Sequence, residues 1–245
     1  MKSLKTNKKI SVIGPILGAA LLAGGLLLAL QAPRPTSVYA HEVPSPCDFT
    51  TGGGFILIAP GTASSPLAET GHKANFGLVG GCKNGGFFGH VNYVDHNNGL
   101  HVSSDTITAY VNPCPGCSPP AANNARDICG TADVSINGSP VGGTWGFRVR
   151  TIDAEQQSSP PPKDKFGIHI HSLDSFGNAG STAYLVPTRC LASDGPTGTG
   201  TVMTCSAVNP GGGDIELHKH NPSNTGPSLT EDQVSARCGA NDLGY

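Results

Sequence analysis

Trp145-Gly146-Phe147-Arg148-Val149-Arg150-Thr151-Ile152 decides the fold class. Successive side chains of a strand point to opposite faces. Trp145, Phe147 and Val149 therefore share one face, and Arg148 and Arg150 share the other. That alternation is the pattern of a half-buried strand, not of a helix. Similar short runs flank it. Upstream lie Gly54–Ala59, Ala74–Gly80, Phe87–Val94, Leu100–Val102, Thr106–Val111 and Ile128–Ile136. Downstream lie Phe166–His171, Ala183–Thr188, Thr201–Ser206 and Asp214–His218. Turn chemistry falls between the runs, at Asn84-Gly85-Gly86, Asn97-Asn98-Gly99 and Asn137-Gly138, where Asn and Gly tolerate positive φ.

Composition agrees. Glycine numbers 34, proline 20, and charged residues make up only 13%. No stretch after residue 40 carries a convincing 3.6-residue period. Many short strands with regular turns predict an all-β, antiparallel β-sandwich, either Ig-like or jelly-roll-like. Asn112–Ala125, Ala154–Lys163 and Leu191–Gly200 read as surface loops. The expected organisation is a single β-domain over 41–220 and a loosely held polar tail over 221–245, with Cys238 as a candidate anchor.

Residues 1–40 read as a signal segment. Lys2, Lys5, Lys8 and Lys9 precede an apolar run from Val12 to Leu30, and Val38-Tyr39-Ala40 supplies the small-residue exit. An uncleaved helical anchor is the alternative, since the run is nearly long enough to cross a bilayer. Of 15 basic residues five (the four lysines and Arg34) lie in this segment, so 10 remain against 17 acidic ones, a net of −7. An acidic domain makes a poor nucleic-acid partner. Contact with a membrane is expected only through an uncleaved signal.

All eight cysteines (Cys47, Cys82, Cys114, Cys117, Cys129, Cys190, Cys205 and Cys238) follow residue 40. An even count in an exported chain favours disulfides. Eight cysteines allow 105 pairings. Local logic suggests Cys190–Cys205 across a Gly/Thr/Pro-rich excursion, and Cys47–Cys238 tying the two ends. Cys114-Pro115-Gly116-Cys117 has thiol-oxidoreductase spacing but lacks the βαβ context, so a disulfide-closed loop is expected.

Six phrases in order resemble a known family. They are Phe49-Thr50-Thr51-Gly52-Gly53-Gly54-Phe55-Ile56, Lys73-Ala74-Asn75-Phe76-Gly77-Leu78-Val79, Gly89-His90-Val91-Asn92-Tyr93-Val94-Asp95, Gly99-Leu100-His101-Val102, Asp164-Lys165-Phe166-Gly167-Ile168 and Gly213-Asp214-Ile215-Glu216-Leu217-His218. Together they resemble the post-COAP domain, a module of secreted or surface proteins, mostly bacterial. The resemblance spans roughly Asp48 to His218. It implies a compact all-β extracellular domain and no defined activity. The chain departs from that pattern in its added cysteines, its Pro160–Pro162 insertion and its histidines around Ile170.

Histidines carry the main chemical possibility. His169-Ile170-His171 places two imidazoles on one strand face, and His218-Lys219-His220 repeats the spacing. If brought together, the pairs could hold zinc or copper; otherwise they are surface histidines. His41 becomes the first residue if cleavage follows Ala40, and an N-terminal histidine can hold copper through its amine and ring. Asp95, Asp153, Asp164, Asp174, Asp214 and Glu216 are scattered, with no nucleophile elbow among them, and read as turn chemistry. Asp95–Gly99 offers oxygens to calcium without EF-hand spacing. Asn137-Gly138-Ser139 is a sequon that matters only in a eukaryotic host. Trp145, Tyr93, Tyr110 and Tyr184 are expected in the core rather than on a sugar platform. The resulting expectation is a secreted or cell-surface, non-catalytic domain without a cofactor, structural or binding a surface glycan or protein. The alternative is a copper or zinc protein using the histidines.

Overall fold

The computed structural model describes residues 41–58, 72–113, 123–154, 164–191, 212–239 and 243. The expected signal segment, the strand Thr201–Ser206, Cys114, Cys117, Cys205 and most of the three expected loops lie outside the described residues.

The described residues belong to one compact unit. It runs β1 (Phe49–Ile58), β2 (His72–Lys83), β3 (Gly86–Asp95), β4 (Leu100–Val111), β5 (Ala125–Ile136), β6 (Ser139–Pro140), β7 (Trp145–Ile152), β8 (Lys165–Leu173), β9 (Ala179–Cys190), β10 (Gly213–His218) and a helix α1 (Glu231–Cys238). Every pairing is antiparallel, in the order β10-β1-β2-β3-β4-β5-β7-β8-β9, with β6 on β5. The all-antiparallel expectation holds. The strands belong to one continuous sheet, where two sheets were expected. The sheet curls over its own core, so that Phe76 of β2 stacks on Phe166 of β8 at 4.0 Å.

The β7 alternation places Phe147 and Val149 in the core with Ile128, Ile168 and Ile170 of the adjoining strands. Tyr93, Tyr110 and Tyr184 are core residues, as expected, and Trp145 packs against that core. The turns match too: Asn84 and Gly85 have φ of 54° and 75°, and Asn137 and Gly138 have 50° and 77°. The two runs read around Ser104 are one strand, β4, interrupted by register shifts at Ser104/Thr106 and Ile107/Ala109.

Two findings change the expected periphery. Cys47 bonds Cys82, and Cys238 bonds Cys129, so the Cys47–Cys238 tie does not form. Cys190 is disulfide-bonded as well. The described part of the tail is docked, and Cys238 anchors it. Asn224 O accepts from Cys47 N at 3.1 Å, and Thr225 O accepts from Gly85 N at 2.8 Å. Then α1 packs Val234 and Cys238 against Ala109, Val111 and Cys129 on the outer face of β4 and β5.

Candidate functional site

Outward positions of a curled sheet normally meet water. On β5, β7 and β8 they hold Asp127, Cys129, Arg148, Arg150, His169 and His171, and all six are buried. The cover is α1 with Gly239 beyond it, flanked by His41 on the N-terminal side. Asp127 Oδ1 accepts from Arg150 Nε at 2.8 Å, and Oδ2 accepts from Arg148 Nε at 2.8 Å. Burial alone would raise this carboxyl's pKa. The two guanidiniums reverse that and hold it well below the usual carboxylate range.

The network continues outward through His41. Arg148 Nη2 donates to His41 Nε2 at 3.2 Å. An arginine can only donate, so Nε2 accepts and Nδ1 bears the proton. That Nδ1 lies 2.8 Å from Glu231 Oε1, and the His41 backbone N–H donates to Glu231 Oε2 at 2.7 Å. The amine and ring nitrogen that a copper-holding N-terminal histidine would use are thus both turned to one carboxylate. His41 also borders a cleft of about 360 Å³ between Glu42–Ser45 and Thr225–Leu229.

His169 and His171 stand side by side, with ring centroids 5.0 Å apart, 1% and 0% exposed. His169 Nε2 meets Thr182 Oγ1 at 3.0 Å. Among the described residues, His169 Nδ1 and both ring nitrogens of His171 have no hydrogen-bond partner. Burial, then the nearby Arg148 charge, lowers the His169 pKa to about 4. Burial, then His169 and Arg148, lowers that of His171 to about 3. Both rings are neutral across the ordinary pH range.

The other expected pair lies elsewhere. His218 stacks on Phe49 at 4.2 Å, and its Nε2 meets Thr51 Oγ1 at 2.8 Å. His220 is exposed beyond the end of β10. Among the described residues, no three His, Cys, Asp or Glu side chains group to hold a metal.

The acids are largely occupied by structure. Asp95 accepts from Asn97 N and Tyr184 OH, and Asp174 from Phe176 N and Asn178 N. Asp164 accepts from Ile215 N at 2.6 Å, and Asp153 from Leu217 N at 3.0 Å. A buried trio that sequence reading missed joins Asp48 to Arg126 and Tyr110.

A second candidate surface is open. The outer face of β10, β1, β2 and β3 has Gly53 opposite Gly77, continued by Asp214 on one side and Asn92 on the other. A Cβ on Gly77 would meet nothing within 4 Å. This bare floor lies between aromatic groups. At one end Phe49 sits 6.4 Å from Phe88, which is 39% exposed. At the other end Phe55 lies under Lys73 Nζ at 4.1 Å. Thr51, His90 and Glu216 add hydrogen-bonding groups along the face.

These features define a disulfide-held, all-antiparallel domain with an internally balanced charge layer and one open polar–aromatic sheet face. The disulfides fit an oxidising, extracellular setting. Among the described residues, no helix is long and apolar enough to cross a membrane. No protein family, curated protein or solved structure matches the chain.

Proposed function

We infer that the chain is exported, loses its first 40 residues, and works outside the cell as a non-catalytic, sandwich-like β-domain that binds glycan. One observation carries this reading: the glycine floor at Gly53 and Gly77, set between Phe49, Phe88 and Phe55 on an exposed face. Sugar rings stack on aromatic side chains through their C–H faces, while side-chain oxygens and nitrogens engage their hydroxyls. A floor without Cβ atoms lets a chain of sugars lie against the sheet. Phe49 and Phe55 are six residues apart, about 20 Å along an antiparallel strand, enough for several sugar units. Most buried acids and arginines among the described residues engage one another or the backbone, which supports a binding role over catalysis. The likeness to the post-COAP domain is part of the same proposal.

The test is retardation of the purified mature domain in gels containing soluble polysaccharides. Phe88→Ala is expected to weaken binding roughly tenfold, about 1.4 kcal/mol. Gly77→Thr has space for its side chain and is expected to fold normally yet lose retention. Retention of a polysaccharide that neither substitution alters would refute this face as the site. An absence of retention on any polysaccharide tried would refute the glycan reading.

A further inference from the structure

The glycan face leaves His169 and His171 unused. Protein interiors leave few polar atoms unpaired, yet these two neighbours hold three ring nitrogens without a partner among the described residues. Two of them, one on each ring, lie close to Gly239. A Cβ on Gly239 would lie 3.3 Å from His169 Nδ1 and 3.4 Å from His171 Nδ1. Gly239 has φ 77°, so the backbone itself favours glycine there, and no Cβ crowds the two nitrogens.

We propose that His169 and His171 form a two-coordinate site for a cuprous ion, held between their Nδ1 atoms beneath Gly239. With its Nε2 proton given to Thr182 Oγ1, His169 presents an Nδ1 lone pair. His171 has both nitrogens free to adopt the matching tautomer. Metal–imidazole bonds are about 2 Å, which the rings reach by rotating about their side-chain bonds. The ligand set chooses the ion. Structural zinc takes four ligands and cupric copper takes a tetragonal set, whereas no third His, Cys, Asp or Glu joins this pair among the described residues. Cuprous copper accepts two nitrogens in line. Charge favours it too. The cost of burying an ion rises with the square of its charge, and neutral imidazoles cancel none of that charge. Arg148 is close, but its guanidinium is turned to Asp127, which lessens its repulsion of a single positive charge. The Cys129–Cys238 bond holds Gly239 over the pair, so the ion enters during folding or when this cover opens.

The test offers Cu(I), anaerobically and in competition with bicinchoninate, to the oxidised mature protein and to the same protein during refolding. One equivalent is expected, with X-ray absorption showing two nitrogen neighbours at about 2 Å. His169→Gln and His171→Gln, which keep bulk and polarity, should each weaken binding about a hundredfold or more. Gly239→Ala should also weaken it, whereas His218→Ala and His220→Ala should leave it unchanged. Circular dichroism confirms that each variant has folded. No copper under either loading condition overturns the proposal. So does copper that persists in both glutamine variants, or a sulfur neighbour in the spectrum.

Discussion

Asp127 has no exposed surface, so its charge must be met inside the protein, and two arginines meet it. Breaking a buried ion pair from one side leaves the partner's charge uncompensated, at about 3–5 kcal/mol. Asp127→Asn removes the charge that both Arg148 and Arg150 face. It is expected to lower unfolding stability by about that amount, read as a fall in the urea midpoint with disulfides intact. Glu231→Gln, at the partly exposed end of the same chain of contacts, should cost about 1 kcal/mol or less. Equal losses from the two substitutions would show that the charge layer does not act as described. The alternation in Trp145–Ile152 correctly placed Arg148 and Arg150 opposite the core. It could not show that this opposite face is also covered. A hint existed in Cys129, which lies in register with Arg148: a disulfide-bonding cysteine on an outer face requires something packed above it.

At the scale of elements, strands were legible where turn chemistry was local. Asn84-Gly85 and Asn137-Gly138 mark their hairpins because the backbone requires positive φ there. The helix was missed for a physical reason. It has eight residues and buries only Val234 and Cys238, too few to make a periodic stripe. Its start was nonetheless written in the chain, since Thr230 and Gln233 form a reciprocal capping box. So short a helix is marginal alone, and its disulfide to β5 should dominate its stability. Thr230→Ala should cost about 1 kcal/mol. The double change Cys129→Ala/Cys238→Ala opens a link spanning 109 residues and should cost about 2–4 kcal/mol. Hydrogen exchange separates the two cases. The cysteine variant should lose protection across Glu231–Cys238 at unchanged protection in β2 and β3, whereas Thr230→Ala should loosen only the first turn. If protection of the helix survives loss of the disulfide, packing rather than the bond holds it.

Over the whole molecule, the curl of the sheet was the least legible feature, because it depends on contacts between distant strands. Asp164 and Asp153, which follow β7 and precede β8, reach the outward amides of β10 at Ile215 and Leu217 and so occupy a free sheet edge. No local pattern announces such a pairing, just as none chose among the possible cysteine pairings. The same long-range closure traps three tyrosines. Tyr93 and Tyr184 share a 2.6 Å hydrogen bond across the core, and Tyr110 donates to Asp48 at 2.7 Å. Burial first, and in Tyr184 and Tyr110 the neighbouring Tyr93 and Asp48 charges next, holds their phenols well above the ordinary tyrosine range. The sign of the effect on stability follows. Below the unfolded pKa of about 10 both states keep these protons, so stability is fully present. Above it the unfolded chain releases protons that the folded chain retains, and stability falls by about 1.4 kcal/mol per pH unit for each tyrosine. Of the five tyrosines in the sequence, these three should therefore ionise together. Absorbance at 295 nm should show their phenolates arriving in one step above pH 10, coincident with the loss of the β circular-dichroism signal. Smooth ionisation of all tyrosines near pH 10, with that signal intact, would mean that the curled sheet admits water to its core.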